Sequence, residues 1–504
     1  MLKILRVGLS VVFFSLITFY FIDFGEILPH QFHVVEHFQF VPAYLAMNVL
    51  GMALIVIITL LIGRIYCSSL CPMGVLQDII AFVSKKATKK KKRYKYSKPK
   101  TILRWSVLGI ILVTFFLGFN VLLSFFDPYS AYGRLAVHLF KPVYMAGNNF
   151  LATVLTHAGN YSLYAVHIFI MSAFSFSVTV VTLLGIGFLA WKYGRTFCNT
   201  LCPVGTILGF LSKYSLYKVR IDAGKCNSCA ACATRCKASC IDSKARKIDY
   251  SRCVDCFNCV KIKCKQDAMS FSFLSIKKQP AIEKVDLSKR RFFVSGLTTA
   301  LTLPALMADS AGHSGHPLKR QTPVSPPGSQ SAEQLLNHCT SCHLCISKCP
   351  SHALKPAFME YGLGGMMLPM LDFRHGFCNY DCTVCSEICP NGALLPLTVD
   401  EKHKTQMGYV VFNEDTCIVI TEGTNCGACS EHCPTQAVKM MPFHDGLTLP
   451  KVDTEICIGC GGCESICPVH PHAAIYVEGN AVHQEAKVII DENITDEVPD
   501  SFGF

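Results

Sequence analysis

Cysteine is the residue through which this sequence can do chemistry. It occupies 29 of 504 positions, mostly two or three residues apart. Toward the C-terminus stand four runs: Cys339-x-x-Cys342-x-x-Cys345-x-x-x-Cys349-Pro350; Cys378-x-x-x-Cys382-x-x-Cys385-x-x-x-Cys389-Pro390; Cys417 with Cys426-x-x-Cys429-x-x-x-Cys433-Pro434; and Cys457-x-x-Cys460-x-x-Cys463-x-x-x-Cys467-Pro468. Sixteen cysteines in four groups of four, each ending in proline, suit four 4Fe–4S clusters. A thiolate-bound cluster moves one electron and needs no proton, so a row of them is a wire. Disulfides are the competing reading, but disulfide scaffolds space their cysteines irregularly. Cys339-Thr-Ser-Cys342-His343 also fits a haem attachment pattern, which would leave the other cysteines of its run without a role.

Earlier in the chain come Cys226-x-x-Cys229-x-x-Cys232-x-x-x-Cys236 and Cys253-x-x-Cys256-x-x-Cys259-x-x-x-x-Cys264. Two such runs in tandem mark a two-cluster bacterial-type ferredoxin, in which the fourth cysteine of each run serves the other cluster. Lys237 stands where proline usually follows, and Cys240 is an extra thiol able to replace Cys236.

A third pattern is a repeat. Gly63-Arg64-Ile65-Tyr66-Cys67-Ser68-Ser69-Leu70-Cys71-Pro72-Met73-Gly74 returns 131 residues later as Gly194-Arg195-Thr196-Phe197-Cys198-Asn199-Thr200-Leu201-Cys202-Pro203-Val204-Gly205. Cysteines four apart share one face of a helical turn, so two copies would bring four thiols together as a redox or metal site. The plain alternative is two pairs of buried apolar cysteines.

Each copy ends a long apolar run. Four such runs, near 7–24, 42–62, 102–126 and 163–191, are long enough to cross a hydrocarbon core. Eleven basic residues crowd 85–104, whereas 25–37 contains no Lys or Arg. By the positive-inside rule the chain starts in the cytoplasm, both paired-cysteine motifs lie at the cytoplasmic surface, and 25–37 and 127–162 face outward. That loop accounts for much of the net charge of +12, so nucleic acid is not an expected partner. Paired arginines Arg290 and Arg291 before a short apolar segment suggest an internal twin-arginine-type signal and a fifth crossing. The expected architecture is a membrane α-helical domain (1–215) and a cytoplasmic α+β two-cluster ferredoxin (216–280). A signal or anchor (288–308), a linker (309–334), a four-cluster periplasmic polyferredoxin (335–480) and an acidic tail (481–504) follow. The segments Gly408-Tyr-Val-Val-Phe412 and Ala437-Val-Lys-Met440 should supply small strands or helices of the last module.

A wire needs a donor. Four spans and the lack of a convincing Gly-rich nucleotide loop favour a membrane quinol. A quinol site must take up two protons as two electrons leave, so it should hold His or carboxylate groups near a membrane surface. The candidates on the expected outer side are His30, His33, His37 and Asp127, with Glu26 and Glu36 beside them and His138 and His157 behind. Such a site would lie across the bilayer from the paired-cysteine motifs.

Over about 1–275 the chain resembles the NapH-type membrane ferredoxins, through its spans, its two Cys-x-x-x-Cys-Pro motifs, Asp127-Pro-Tyr-Ser-Ala-Tyr-Gly-Arg134 and the trailing two-cluster ferredoxin. Over about 288–475 it is similar to the NapG/MauM-type periplasmic ferredoxins, so the two halves are expected to be fused. The resemblance implies a multi-pass bacterial inner-membrane protein with about six 4Fe–4S clusters. It would oxidise membrane quinol, usually menaquinol, and feed a periplasmic reductase or its cytochrome subunit, as in nitrate reduction. The rivals are a relay of cytoplasmic reducing power outward, an assembly factor for a periplasmic metalloenzyme, and a redox sensor.

Overall fold

The computed structural model describes residues 2–25, 27–28, 32, 34–87, 94–168, 172–260, 264, 266, 268–273 and 320–487. The expected signal or anchor at 288–308, the linker up to 319 and the tail from 488 lie outside them.

Two helices, Leu2–Ile22 and Ala173–Tyr193, are long and apolar enough to cross a membrane. At 1.5 Å per residue each spans about 30 Å, the thickness of a hydrocarbon core. The second and third apolar runs are not single helices. The run 42–62 divides into Phe40–Leu45 and Val49–Ile62. Met47 adopts a φ of 53°, and the Asn48 side chain accepts the Gly51 N–H to start a new helix. The run 102–126 divides into Thr101–Phe116 and Val121–Phe126 around Gly118, whose φ of 79° suits glycine alone. The stretch after it, expected as a connection, is largely helical: Pro128–Leu135, a π-helical turn Ala136–Phe140 and Lys141–His157. Asp127 caps the first of these by accepting the Ser130 N–H, with Pro128 at its first position.

Both ferredoxin regions are built from two-stranded antiparallel sheets. In the first, Tyr217–Ile221 pairs with Met269–Phe273, Val219 opposite Phe271, and Ile241–Asp242 pairs with Lys247–Ile248. In the second, Leu354–Pro356 pairs with Pro369–Leu371, Thr405–Phe412 with Ile475–Glu485, and Val438–Pro442 with Thr448–Val452.

One core joins the helical domain to both. Ile17, Phe21, Cys67, Tyr129 and Cys198 share it with Val254 of the first ferredoxin and with Cys342, Leu344 and Ile388 of the second. Polar bonds fix the two seams. On one side Arg64 donates to Ser251 O at 3.0 Å, and the Arg195 N–H to Lys237 O at 3.1 Å. On the other, Arg134 donates to Ser341 O at 3.0 Å, Ser124 to Thr340 O at 2.7 Å and Asn120 to Leu336 O at 2.8 Å.

Within each repeat copy the closing glycine lies directly against the backbone of the first cysteine. A Cβ on Gly205 would stand 2.0 Å from Cys198 O, and one on Gly74 would stand 2.2 Å from Cys67 O. Gly205→Ala and Gly74→Ala should therefore each destabilise the chain by about 1–3 kcal/mol, read as a lower Tm in detergent. Gly109→Ala, where nothing lies within 4 Å, should leave Tm unchanged or slightly raised.

Candidate functional site

The thiols gather into sets that do not follow the runs. Cys339, Cys342 and Cys345 line one cavity with Cys389 rather than Cys349, and Cys417, Cys426 and Cys429 line another with Cys467 rather than Cys433. Cys349 faces Cys378, Cys382 and Cys385, and Cys433 faces Cys457, Cys460 and Cys463. The fourth thiol is thus exchanged between runs in this half as well. In the first ferredoxin, Cys226, Cys229, Cys232 and Cys264 line one cavity. Cys253, Cys256 and Cys259 line a second with both Cys236 and Cys240, whose sulfurs lie 3.4 Å apart.

These sets suit iron–sulfur clusters. All 29 cysteines are free thiols, and among the described residues no group of three or more His, Cys, Asp or Glu closes around a point tightly enough for a single metal ion. Backbone N–H groups aim at sulfur: Ser228 at Cys226, Ser341 at Cys339 and Leu394 at Cys389, each at 3.4 Å. Such bonds orient and tune thiolate ligands. Burial and the neighbouring thiols push the pKa of Cys345, Cys385 and Cys463 well above the ordinary value, so ionising each set requires the positive charge that iron supplies.

The sets also stand in a line. Cys345 feels Cys385 of the next set, the Cys378 N–H donates to Cys460 O at 2.9 Å, and Cys463 feels Cys429. From the helical domain outward the order is the Cys339, Cys378, Cys457 and Cys417 sets.

Where the helical domain meets the first of these sets lies a buried group of oxygen and nitrogen atoms. Glu36 accepts a hydrogen bond from the Tyr129 hydroxyl. The Tyr66 hydroxyl donates to Gln39 Oε1 at 2.9 Å and accepts the Phe40 N–H at 3.1 Å. Asp127 accepts the Ser130 N–H at 2.8 Å. Glu36 Oε1, Gln39 Nε2 and Asp127 Oδ1 are buried with no hydrogen-bond partner. Burial raises the Glu36 pKa to about 8 and that of Asp127 to about 6. The Glu36 charge in turn helps to raise Cys342, and a Cβ on Gly133 would stand 2.5 Å from Cys342 O. Helix Pro128–Leu135 therefore packs directly on a cysteine of the first set.

Of the outer-side candidates, Glu36 and Asp127 belong to this group. His37 is half-buried, while His30 and His33 lie outside the described residues. His138 binds across the seam instead, its Nε2 2.8 Å from His343 Nδ1 and 2.9 Å from Ser175 Oγ. His343 Nε2 lies 3.0 Å from Met367 O, so both its ring nitrogens are occupied by protein contacts. Tyr66, Gln39 and Tyr129 were not among the candidates, although Tyr129 lies inside the Asp127-to-Arg134 segment. Tyr66 immediately precedes Cys67, and its hydroxyl feels the Asp127 charge. The carboxyl group is thus next to the paired-cysteine motifs rather than across the protein from them.

Comparison with known proteins supports the iron–sulfur reading of the cysteines. A family described as "4Fe-4S binding domain" matches residues 44–91 and 172–222, the two repeat copies, and "4Fe-4S dicluster domain" matches 423–471. The methylamine utilization ferredoxin-type protein MauM of Methylobacillus flagellatus is 32% identical over 206 residues, 38% of this chain and 85% of the relative. The chain belongs to the MauM ferredoxin-type family. MauM of Paracoccus denitrificans is 34% identical over 164 residues, 31% of this chain and 70% of the relative. The ferredoxin-type protein NapF of Escherichia coli (strain K12) is 27% identical over 162 residues, 32% of this chain and 90% of the relative. This MauM-family chain is an iron–sulfur electron-transfer protein.

Proposed function

We propose that this protein is a NapH-like membrane domain fused to a MauM-like polyferredoxin. In this reading it oxidises a membrane quinol at the Glu36–Asp127 group and delivers the electrons to a periplasmic reductase. One observation carries the proposal: two buried carboxyls with unpartnered oxygens lie directly behind the Cys342 loop. Loss of two electrons from a quinol releases two protons, and a pair of carboxylates in hydrogen-bond reach of the hydroxyls can take them. Gln39 Nε2 is a free donor able to orient the quinone oxygen. The Cys339, Cys378, Cys457 and Cys417 sets and the two sets of the first ferredoxin would hold six 4Fe–4S clusters, which exchange single electrons without protons.

The reading is tested anaerobically. A reduced menaquinol analogue added to the purified chain should bleach the visible iron–sulfur absorbance; clusters that bleach with dithionite but not with quinol would point to an assembly factor or a cytoplasmic donor. A reporter after Phe504 should be active only outside the cytoplasm.

The exchange of fourth thiols gives a separate expectation. Cys389→Ser should remove the cluster signal of the Cys339 set and block quinol-driven reduction of those beyond it. Cys349→Ser should alter the Cys378 set, leaving the first cluster reducible by quinol. Electron paramagnetic resonance of each variant distinguishes the two, and the opposite pattern would restore grouping by run.

A further inference from the structure

Cys67, Cys71, Cys198 and Cys202 lie together, 2–4% exposed, inside the 4Fe-4S binding match. What no match touches is a loop of the second ferredoxin region that carries no cysteine. It joins strands Leu354–Pro356 and Pro369–Leu371 and reads Ala357-Phe-Met-Glu-Tyr-Gly-Leu-Gly-Gly-Met-Met-Leu368. Connecting loops are ordinarily polar; this one is not. Between Lys355 and Asp372 the only charged residue is Glu360, and Phe358, Met359 and Leu363 are 49%, 45% and 67% exposed.

Two contacts fix where the loop lies. The Phe358 ring packs edge-on against Phe174, centroids 4.8 Å apart, and a Cβ on Gly364 would stand 3.4 Å from the Phe119 ring. Phe174 is at the start of helix Ala173–Tyr193, and Phe119 is just beyond the end of helix Thr101–Phe116. The loop therefore bridges adjoining ends of two apolar helices. Where such a helix crosses a bilayer, its end marks the boundary of the hydrocarbon core. At the same corner Phe116, Leu117 and Phe119 are 78%, 67% and 55% exposed, and no charged residue occurs from 105 to 126. Loop and corner form one apolar surface, and such a surface marks an interaction site.

The polar groups of the loop are turned inward. The Glu360 carboxylate accepts the N–H groups of Phe358 at 2.6 Å and Met359 at 3.0 Å. The Ala357 N–H donates to Leu368 O, the Met367 N–H to Ala357 O and the Gly362 N–H to Met359 O, each at 2.8 Å. The Tyr361 hydroxyl donates to Pro369 O at 3.4 Å. Water would satisfy all of these groups, whereas a loop that leaves water must satisfy them itself, because lipid supplies no partner. With its one charge engaged by its own backbone, the loop offers Phe, Met and Leu to whatever covers it. Lipid fits that description better than a protein partner, which would have to reach the level of the acyl chains and would find little charge to read. Segments that lie in the interface present just these side chains to the acyl boundary.

We infer that loop 357–368 dips into the outer leaflet beside helices Thr101–Phe116 and Ala173–Tyr193, so that the polyferredoxin binds a phospholipid surface by its own contact. The inference rests on the membrane reading of the helices and not on quinol as donor. Its consequence is positional. Pro369, which closes the loop, lines the cavity of the Cys339 set, so the lipid contact holds the first set at one depth relative to the bilayer.

The test places the full chain, clusters loaded, in phosphatidylcholine nanodiscs doped with an analogue that carries a diazirine close to the headgroup. Peptide mass spectrometry maps the photolabel. Peptides covering 357–368 should be labelled within about threefold of those covering 101–119, and about tenfold above the hairpin 438–452. That hairpin stands beside the Cys417 set and also exposes Met441 and Phe443. Phe358→Ser/Leu363→Ser should lower loop labelling about tenfold while the helices keep theirs and the iron content is unchanged; Phe358→Trp/Leu363→Trp should retain it. Should the serine variant lose iron, the wild-type map decides alone. Label on the helices without label on the loop would overturn the inference and leave the membrane reading standing. Absence of label from both would remove the membrane reading and the inference with it. Equal label on the 438–452 hairpin would mean surface adsorption and overturn the inference as well.

Discussion

Glu36→Gln should slow quinol-driven reduction of the clusters by a hundredfold or more while leaving their reduction by dithionite unchanged. The substitution keeps the shape of the side chain and a hydrogen-bonding oxygen for Tyr129, but removes the proton acceptor, and positioned acid–base groups typically supply 10²- to 10⁴-fold. The direction with pH follows from burial. Glu36 accepts a proton only as the carboxylate, and its pKa is raised to about 8, so the wild-type rate should climb as pH rises toward that value. That rising limb should vanish in Glu36→Gln. Asp127→Asn should remove a second limb near pH 6. Stopped-flow bleaching with a menaquinol analogue between pH 5.5 and 9 reads both. An unchanged rate and profile in Glu36→Gln would take the carboxyl group out of the reaction and leave the surface behind Cys342 as packing alone.

How much of this was legible in the sequence differs by feature. The cysteine runs were, because the spacing within a run is local and survives any arrangement of the rest of the chain. Their cross-pairing in the C-terminal half was less so: that Cys389 joins Cys339 depends on how two runs dock. The breaks at Met47 and Gly118 were hidden for a different reason. Hydropathy sums over a window, whereas a positive φ acts at one residue, so an apolar run reads the same whether or not it bends. The carboxyl group was visible as residues but not as a group: Glu36 and Asp127 both stand among the outer-side candidates, yet Glu36 acquires its character from Tyr129, 93 positions away, and from burial that only the fold supplies. Lys237 is the most instructive case. It departs from the ferredoxin pattern, which has proline there, and nothing in its own run says why.

The structure says why, and the reason carries the other large prediction. Lys237 Nζ lies 3.3 Å from Asp78, which also accepts from Arg195 Nε at 2.8 Å and Arg6 Nη2 at 2.6 Å. Three cations from the first helix, the second repeat copy and the first ferredoxin therefore converge on one carboxylate, itself 7% exposed. Burial opposes its ionisation, but Arg195, Lys237 and Arg6 outweigh that and hold its pKa far below the usual carboxylate range. Asp78→Asn leaves those cations uncompensated, and removing one partner of a buried ion pair typically costs about 3–5 kcal/mol. Because the folded-state pKa is depressed, the stabilisation is fully present above the unfolded pKa of about 4 and is lost only as pH falls through the folded value. The drop in unfolding midpoint should therefore be the same at pH 6 and pH 8. The loss should also be shared among the three elements. Lys237→Met alone should be mild, since Arg195 and Arg6 remain on Asp78, and in the Asp78→Asn background it should be neutral or restorative because it removes a half-buried charge that has lost its Asp78 partner. Strictly additive effects in that double-mutant cycle would mean that Lys237 does not act through Asp78, and that its place in the ferredoxin run needs another cause.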